Sequence, residues 1–207
     1  MGKTTYIAVA GNIGCGKSTL VEFICRHYDV EPFYEPNAEN PYLVDFYADM
    51  NKWAFHSQIY FLTHKFRIHQ DLEAERRRRT VVQDRTIFED AEVFAANLYR
   101  RRLIKKRDWC VYQDLYQAIV SSLAPPDLMI YLSASVRNIR RRIKLRGRRE
   151  EQSIPVSYIR GLNDLYGEWF GGYKRSPTIV INTDKLDYIT DLVDHIDVLK
   201  TIEKYLK

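Results

Sequence analysis

Along the chain, short β-branched and apolar runs alternate with longer segments whose apolar positions recur at the helical period of about 3.6 residues. The runs TYIAVA, DVEPFYE, TVVQD, LMIYLS and TIVINT predict five strands. Between them the pattern predicts a helix from about Lys17 and helical stretches from about Pro41 to Glu75 and from about Ile87 to Leu123. A basic helix, a Tyr-rich helix and a last helix from about Leu186 follow. Strands alternating with helices at this spacing predict an α/β fold: a five-stranded parallel sheet with helices on both faces. The Pro125–Pro126 pair reads as the loop entering the fourth strand. No Pro-, Gly- or Ser-rich linker and no repeat divides the chain, so residues 1–207 are expected to form a single domain. In such a sheet, ligands bind beyond the carboxyl ends of the strands, which is where chemistry is to be sought.

Composition narrows the classes. The 207 residues are 45% hydrophobic and 29% charged, enough for a true core. The three cysteines form no paired framework, and nothing approaches the run of about 18 apolar residues that a membrane span needs. The N-terminus has no signal-peptide pattern, so a soluble, cytoplasmic protein is expected. The net charge is +5, and the arginines cluster at Arg76 to Arg79, Arg100 to Arg102 and Arg137 to Arg149. Such runs suit nucleic acid, an anionic membrane face or a small polyphosphate, and charge alone does not choose among them.

The first strand end does choose. GNIGCGKST satisfies G-x-x-x-x-G-K-[ST] between a predicted strand and a predicted helix. Its residues, Gly11, Asn12, Ile13, Gly14, Cys15, Gly16, Lys17, Ser18 and Thr19, read as a phosphate-binding loop. Backbone N–H groups there converge on phosphate oxygens, Lys17 would reach the β/γ-phosphates of ATP, and Ser18 would ligate Mg²⁺. Cys15 beside the phosphates is an expected oxidation liability.

Two further strand ends add chemistry. Pro36 cannot continue a ladder, so Glu35 should stand at the sheet's carboxyl edge, where a carboxylate can accept the proton of an attacking hydroxyl. An acidic residue opening the next helix is the competing reading. The third strand ends in QDRT: Asp84 is placed to hold Mg²⁺, and Arg85 to orient Glu35 or bind phosphate, against the alternative of a surface ion pair. Arg142 and Arg146, four apart, share a helical face before Gly147, and Arg148 follows in the turn. They can form an Arg-rich lid (about 142–153) that neutralises charge on the transferred group, or merely a solvated basic face. Arg76 to Arg79 reads as an exposed helix end.

GNIGCGKST, the Glu-Pro after the second run, DRT after the third and RGRREEQ further on together resemble the deoxynucleoside kinases. These form the thymidine kinase 2-like group of deoxyadenosine, deoxyguanosine and deoxycytidine kinases, and a bacterial-type deoxyadenosine or deoxyguanosine kinase is expected. The resemblance runs from about Tyr6 to Tyr166 and more loosely to the end. It implies a nucleoside/nucleotide-kinase fold and transfer of the γ-phosphate of ATP to the 5′-hydroxyl of a deoxynucleoside. By this resemblance Gln58 pairs with the base edge, Phe94 stacks on the base, and Tyr47 and Glu151 bind the sugar 3′-hydroxyl. Lys65, where the family often has Arg, acts with Asp90 at the base. Asn40 stands where many relatives carry Trp. These departures incline the expectation toward a purine, deoxyadenosine first, with a broad-specificity or pyrimidine kinase as the alternative. The resemblance also implies a homodimer through helices near Trp53 and Ile87.

Two other classes compete. A thymidylate-type monophosphate kinase would replace the carboxylate base with a cation, and Glu35 argues against it. A nucleic-acid-binding ATPase would need aromatic platforms along a basic groove, and no such set is legible. The expected partners are therefore ATP and a small-molecule deoxynucleoside, without nucleic acid or membrane.

Overall fold

Alternation along the first strand fixes which side chains lie on which side of the sheet. In the computed structural model, which describes residues 4–35, 39–184, 198, 200 and 202–204, β1 spans Tyr6–Gly11 and is buried throughout. Ile7 and Val9 pack on one face with Leu20, Val21 and Ile24 of α1 (Lys17–His27). Tyr6, Ala8 and Ala10 pack on the other with Leu72 of α3 (Met50–Arg76). A strand covered on both faces is the expected centre of a parallel sheet.

The five strands are β1, β2 (Glu31–Phe33), β3 (Val81–Asp84), β4 (Leu128–Ser133) and β5 (Thr178–Asn182), in the order β2-β3-β1-β4-β5 with every pairing parallel. The chain thus reverses its direction of travel across the sheet around β1, which puts the Gly11 loop at the switch point where ligands bind. Register aligns Val9 with Asp84, so the motifs after β1 and β3 are neighbours. β2 is shorter than the sequence suggests: it ends at Phe33, and Glu35 lies in the segment beyond it. Pro36 and the start of the last expected helix lie outside the described residues; Val198 and Ile202 are buried in the α1-side core.

α2 (Leu43–Ala48) and α3 divide the stretch expected to be helical from Pro41, with Asp49 capping α3 by accepting from the Lys52 N–H at 3.2 Å. After β3 the helix is not uniform. α4 (Ile87–Glu89) passes into a π-helix over Asp90–Ala95 and then α5 (Ala96–Arg100), and α6 (Lys106–Val120) follows. π segments are rare and concentrate at functional sites. The basic helix is α7 (Val136–Arg146), capped by Ser135 and closed by Gly147 at φ 71°. A 3₁₀ turn at Arg149–Glu151 leads to α8 (Val156–Gly171), whose Leu162 and Tyr166 join Val93 and Phe94 in one core cluster. Of the Arg76 to Arg79 run, Arg77 to Arg79 are exposed, but Arg76 is half-buried between Glu73 and Asp127.

Candidate active site

The loop after β1 has its shape because particular positions admit no side chain. At Gly11, with φ 147°, a Cβ would lie 2.7 Å from Cys15 Sγ and 2.7 Å from the Leu132 carbonyl oxygen. Gly16 starts α1 in the left-handed region, at φ 103°, where Gly carries no Cβ penalty. Asn12 clamps the loop to α8: its Nδ2 donates to the Ile159 carbonyl and Asn163 Oδ1, while its Oδ1 accepts from the Ile13 N–H at 2.7 Å. Lys17 Nζ, largely buried, donates to the Gly11 and Asn12 carbonyls at 3.0 and 3.1 Å. Its ammonium is therefore held in the loop where phosphate would sit. Thr19 lies in the first turn of α1, half-buried.

Beside the loop, Ser18 Oγ donates to Asp84 Oδ2 at 2.6 Å. Asp84 is buried, and its Oδ1 has no hydrogen-bond partner among the described residues. One hydroxyl and one carboxylate with a spare oxygen fit Mg²⁺, which keeps several waters and takes few protein ligands when it binds phosphates. Among the described residues no group of three or more His, Cys, Asp or Glu side chains could form an all-protein metal cage.

Arg85 is the centre of the acceptor side. It is buried with φ 64°, a conformation uncommon outside Gly and enriched at functional sites. One terminal nitrogen donates to both Glu35 oxygens at 2.8 and 3.1 Å, the other to the Gly11 carbonyl at 3.2 Å, and Nε to Glu89 Oε1 at 3.2 Å. Its guanidinium lies 4.2 Å from the centroid of the Phe94 ring. Burial alone would weaken its hold on the proton, but Glu35, Tyr166, Glu89 and Asp90 outweigh that, and it stays charged.

These groups line a cavity of about 500 Å³. Ile13, Gly14, Lys17, Ser18 and Asp84 line it together with Glu35 and Arg85. Tyr47, Gln58, Asp90 and Phe94 line it as well, with the exposed Arg146 and Arg148 at the rim beside the buried Glu151. Gln58 Oε1 and Asp90 Oδ2 are buried without hydrogen-bond partners among the described residues. Burial raises the Asp90 carboxyl to about 6, against the opposing pull of Lys65. Burial likewise pushes the Tyr47 phenol up, with Tyr158 and Glu151 adding to it. Glu151 holds Arg146 and Arg148: Oε2 accepts from Arg146 Nε at 3.1 Å and from its Nη2, and Oε1 accepts from Arg148 at 3.4 Å.

Three residues singled out from the sequence are held away from the cavity surface. Lys65 does not line the cavity: its Nζ donates to the Arg85 carbonyl at 2.6 Å and the Asp84 carbonyl at 3.4 Å. It sits 3.8 Å from Glu35 and 3.7 Å from Asp90, so two backbone carbonyls and two cavity-lining carboxylates surround the single ammonium. Arg142 does not line the cavity either. It donates to the Cys15 carbonyl at 3.1 Å, to Thr183 Oγ1 at 2.9 Å and to the Thr183 carbonyl, one turn closer to β5 than Arg146. Cys15 is wholly buried and burial raises its thiol, so it lacks the exposed thiolate that oxidation requires. Sequence reading missed Phe46, Phe61 and Tyr158, which also line the cavity, and Glu89 and Tyr166 behind it. Nothing in their local pattern distinguishes them from core residues.

Residues 7–207 match the family described as deoxynucleoside kinase. The chain is 34% identical to the deoxyadenosine kinase of Lactobacillus acidophilus, with 97% of this chain and 96% of that protein covered. It is also 34% identical to the deoxyadenosine/deoxycytidine kinase of Bacillus subtilis, covering 91% and 87%. Among solved structures, deoxyadenosine kinase from M. mycoides with bound dATP superposes with a TM-score of 0.82 at 32% identity, covering 95% of this chain and 99% of that one.

Proposed function

The chain belongs to the deoxynucleoside kinase family and phosphorylates a deoxynucleoside with ATP as donor, and we propose that Glu35 is the base and deoxyadenosine the preferred acceptor. The observation that carries the reading is the two-pronged hold of Arg85 on Glu35, 2.8 and 3.1 Å, inside the cavity that Lys17 and Ser18 share. A carboxylate fixed between the phosphate loop and the pocket can take the 5′-hydroxyl proton as the oxygen attacks phosphorus. Lys17 and the loop N–H groups stabilise the phosphoryl oxygens, and Arg146 and Arg148 close over the charge that develops. Ser18 and Asp84 would hold Mg²⁺, which supplies charge neutralisation on the phosphates.

Base preference rests on acceptors. Gln58 Oε1 and Asp90 Oδ2 are two buried oxygens without a hydrogen-bond partner among the described residues, Lys65 reaching Asp90 Oδ2 only at ion-pair distance, 3.7 Å, and an exocyclic amino group offers two N–H donors. This favours adenine, with Phe94 stacking on the ring, and keeps cytosine as the second reading; guanine and thymine present a carbonyl there. The B. subtilis relative is named for both deoxyadenosine and deoxycytidine. Tyr47 and Glu151 are assigned to the 3′-hydroxyl. Lys65 acts from behind by holding Asp90 and the Arg85 backbone, and Arg142 by fixing the loop to β5.

The homodimer is proposed as well. Val111 and Leu115 on α6 expose apolar surface beside α3, and light scattering tests the state directly. Among the described residues no helix is long and apolar enough to cross a membrane; a cytoplasmic location is part of the proposal. The decisive experiment is Glu35→Gln: phosphorylation is expected to fall at least about 10²-fold with little loss of deoxynucleoside binding. Unchanged turnover removes Glu35 from the mechanism. A panel of four deoxynucleosides plus thymidylate, read as nucleotide product, ranks the acceptors.

A further inference from the structure

Arg85 lies between two carboxylates, and only one of them reaches the cavity. Glu35 takes its terminal nitrogen, while Glu89, with no exposure at all, accepts from Nε at 3.2 Å. Glu89 Oε1 also faces the Tyr166 hydroxyl at 2.9 Å, and Tyr166 is itself 2.9 Å from the Gly11 carbonyl. The phenol has one proton and two acceptors within reach, so it can serve only one of them at a time. Glu89 Oε2 is buried without a hydrogen-bond partner among the described residues. A fully buried carboxylate with a spare oxygen is costly unless it has a task, and its neighbours tie the phosphate loop to the Glu35–Arg85 pair.

We infer that Glu89, with Tyr166, is a positioning pair that decides how much of the Arg85 charge Glu35 receives. With Glu89 ionised, Tyr166 donates to it and Arg85 is shared between two carboxylates, leaving Glu35 able to turn to the substrate hydroxyl. With Glu89 protonated, the acid donates to the Tyr166 oxygen, Tyr166 donates to the Gly11 carbonyl, and Glu35 becomes the one charged partner in the Arg85 hydrogen bonds. The inference rests on Glu35 being the base.

The surroundings allow this change near neutrality. Burial raises the Glu89 carboxyl to about 7; Arg85, Lys17 of α1 and Lys65 of α3 oppose the rise, and Asp90 adds to it. The other titratable groups whose charge couples to Glu89 are Cys15 in the loop, Tyr6 of β1, Tyr131 of β4, Tyr166 of α8 and Tyr173 beyond it. All are raised, chiefly by burial, and stay neutral while Glu89 titrates.

The test is the pH profile of kcat from about pH 5.5 to 9, with deoxyadenosine and saturating Mg-ATP, for the wild type, Glu89→Gln and Tyr166→Phe. Glu89→Gln imitates the protonated state, so its kcat should be about tenfold lower at high pH and its acid limb should vanish. Its nucleoside dissociation constant without ATP should stay within about twofold of wild type, which a general loss of structure would not permit. Tyr166→Phe removes the donor to the ionised carboxylate and should move the limb to higher pH; it decides alone if Glu89→Gln does not fold. A limb that persists in Glu89→Gln, or that stays put or moves down in Tyr166→Phe, overturns the inference. If Glu35→Gln is inactive while these limbs do not move, Glu35 stands as the base and the positioning pair falls. Full activity in Glu35→Gln removes both.

Discussion

Arg146 lies against Glu151, its Nε donating to Oε2 at 3.1 Å, and Arg148 reaches the other oxygen of the same carboxylate. The cations that would meet the phosphates are thus held at the rim by the group assigned to the sugar. A guanidinium can keep such a partner while offering further donors, whereas an ammonium is a point charge. Arg146→Lys is accordingly expected to lower kcat by about 10²-fold while the deoxynucleoside KM changes less than about threefold. Steady-state kinetics check this, and a loss confined to KM would assign Arg146 to nucleoside binding instead.

Asp84 joins Ser18 at 2.6 Å and keeps one buried oxygen unpartnered among the described residues. Asp84→Asn keeps the shape and removes the charge. The Mg²⁺ concentration for half-maximal rate should rise by about tenfold or more, with nucleoside affinity unaltered. Titration of Mg²⁺ at fixed ATP reads the effect, and chelation of the metal should abolish turnover in both proteins.

The three thiols differ in access: Cys15 is buried, Cys25 intermediate and Cys110 exposed on α6. A thiol reagent under native conditions should modify Cys110 first, and Cys110→Ser should remove the fast phase without loss of activity. Cys15, its thiol raised by burial, should react only after denaturation. Rapid inactivation of the Cys110→Ser protein by the reagent would contradict this.

Burial pushes the folded Asp90 carboxyl up to about 6, against an ordinary value of 3.8. Between those values the unfolded chain has released the proton and the folded chain has kept it, so stability falls as pH rises through this window. Glu89, raised to about 7, extends the decline in the same direction. His69, lowered chiefly by burial, works in the opposite direction, so the comparison decides: in urea unfolding of the ligand-free protein from pH 4 to 8, stability should fall more, or rise less, with pH in the wild type than in Asp90→Asn. Parallel slopes in the two proteins would show that Asp90 does not carry this linkage.

The sequence by itself determined the framework. Alternation of period two in YIAVA, the helical period after it and GNIGCGKST at the junction are local signals, set by which backbone geometry a short stretch can adopt. They suffice for the five parallel strands and for placing the loop, Asp84 and Arg85 at strand ends. Glu35 was legible too, although β2 stops two residues before it. Tertiary structure decided which side chains share space, and that depends on residues far apart in sequence. Arg142 and Cys15 are 127 residues apart, and Tyr166 and Glu89 are 77 apart. No periodicity distinguishes an arginine that tethers a loop from one that closes a lid, or a lysine held by backbone carbonyls from one facing a base. The π segment at Asp90–Ala95 escaped the pattern for a related reason: its side chains read as an ordinary amphipathic helix, and only packing against α3 and α8 reveals the wider turn.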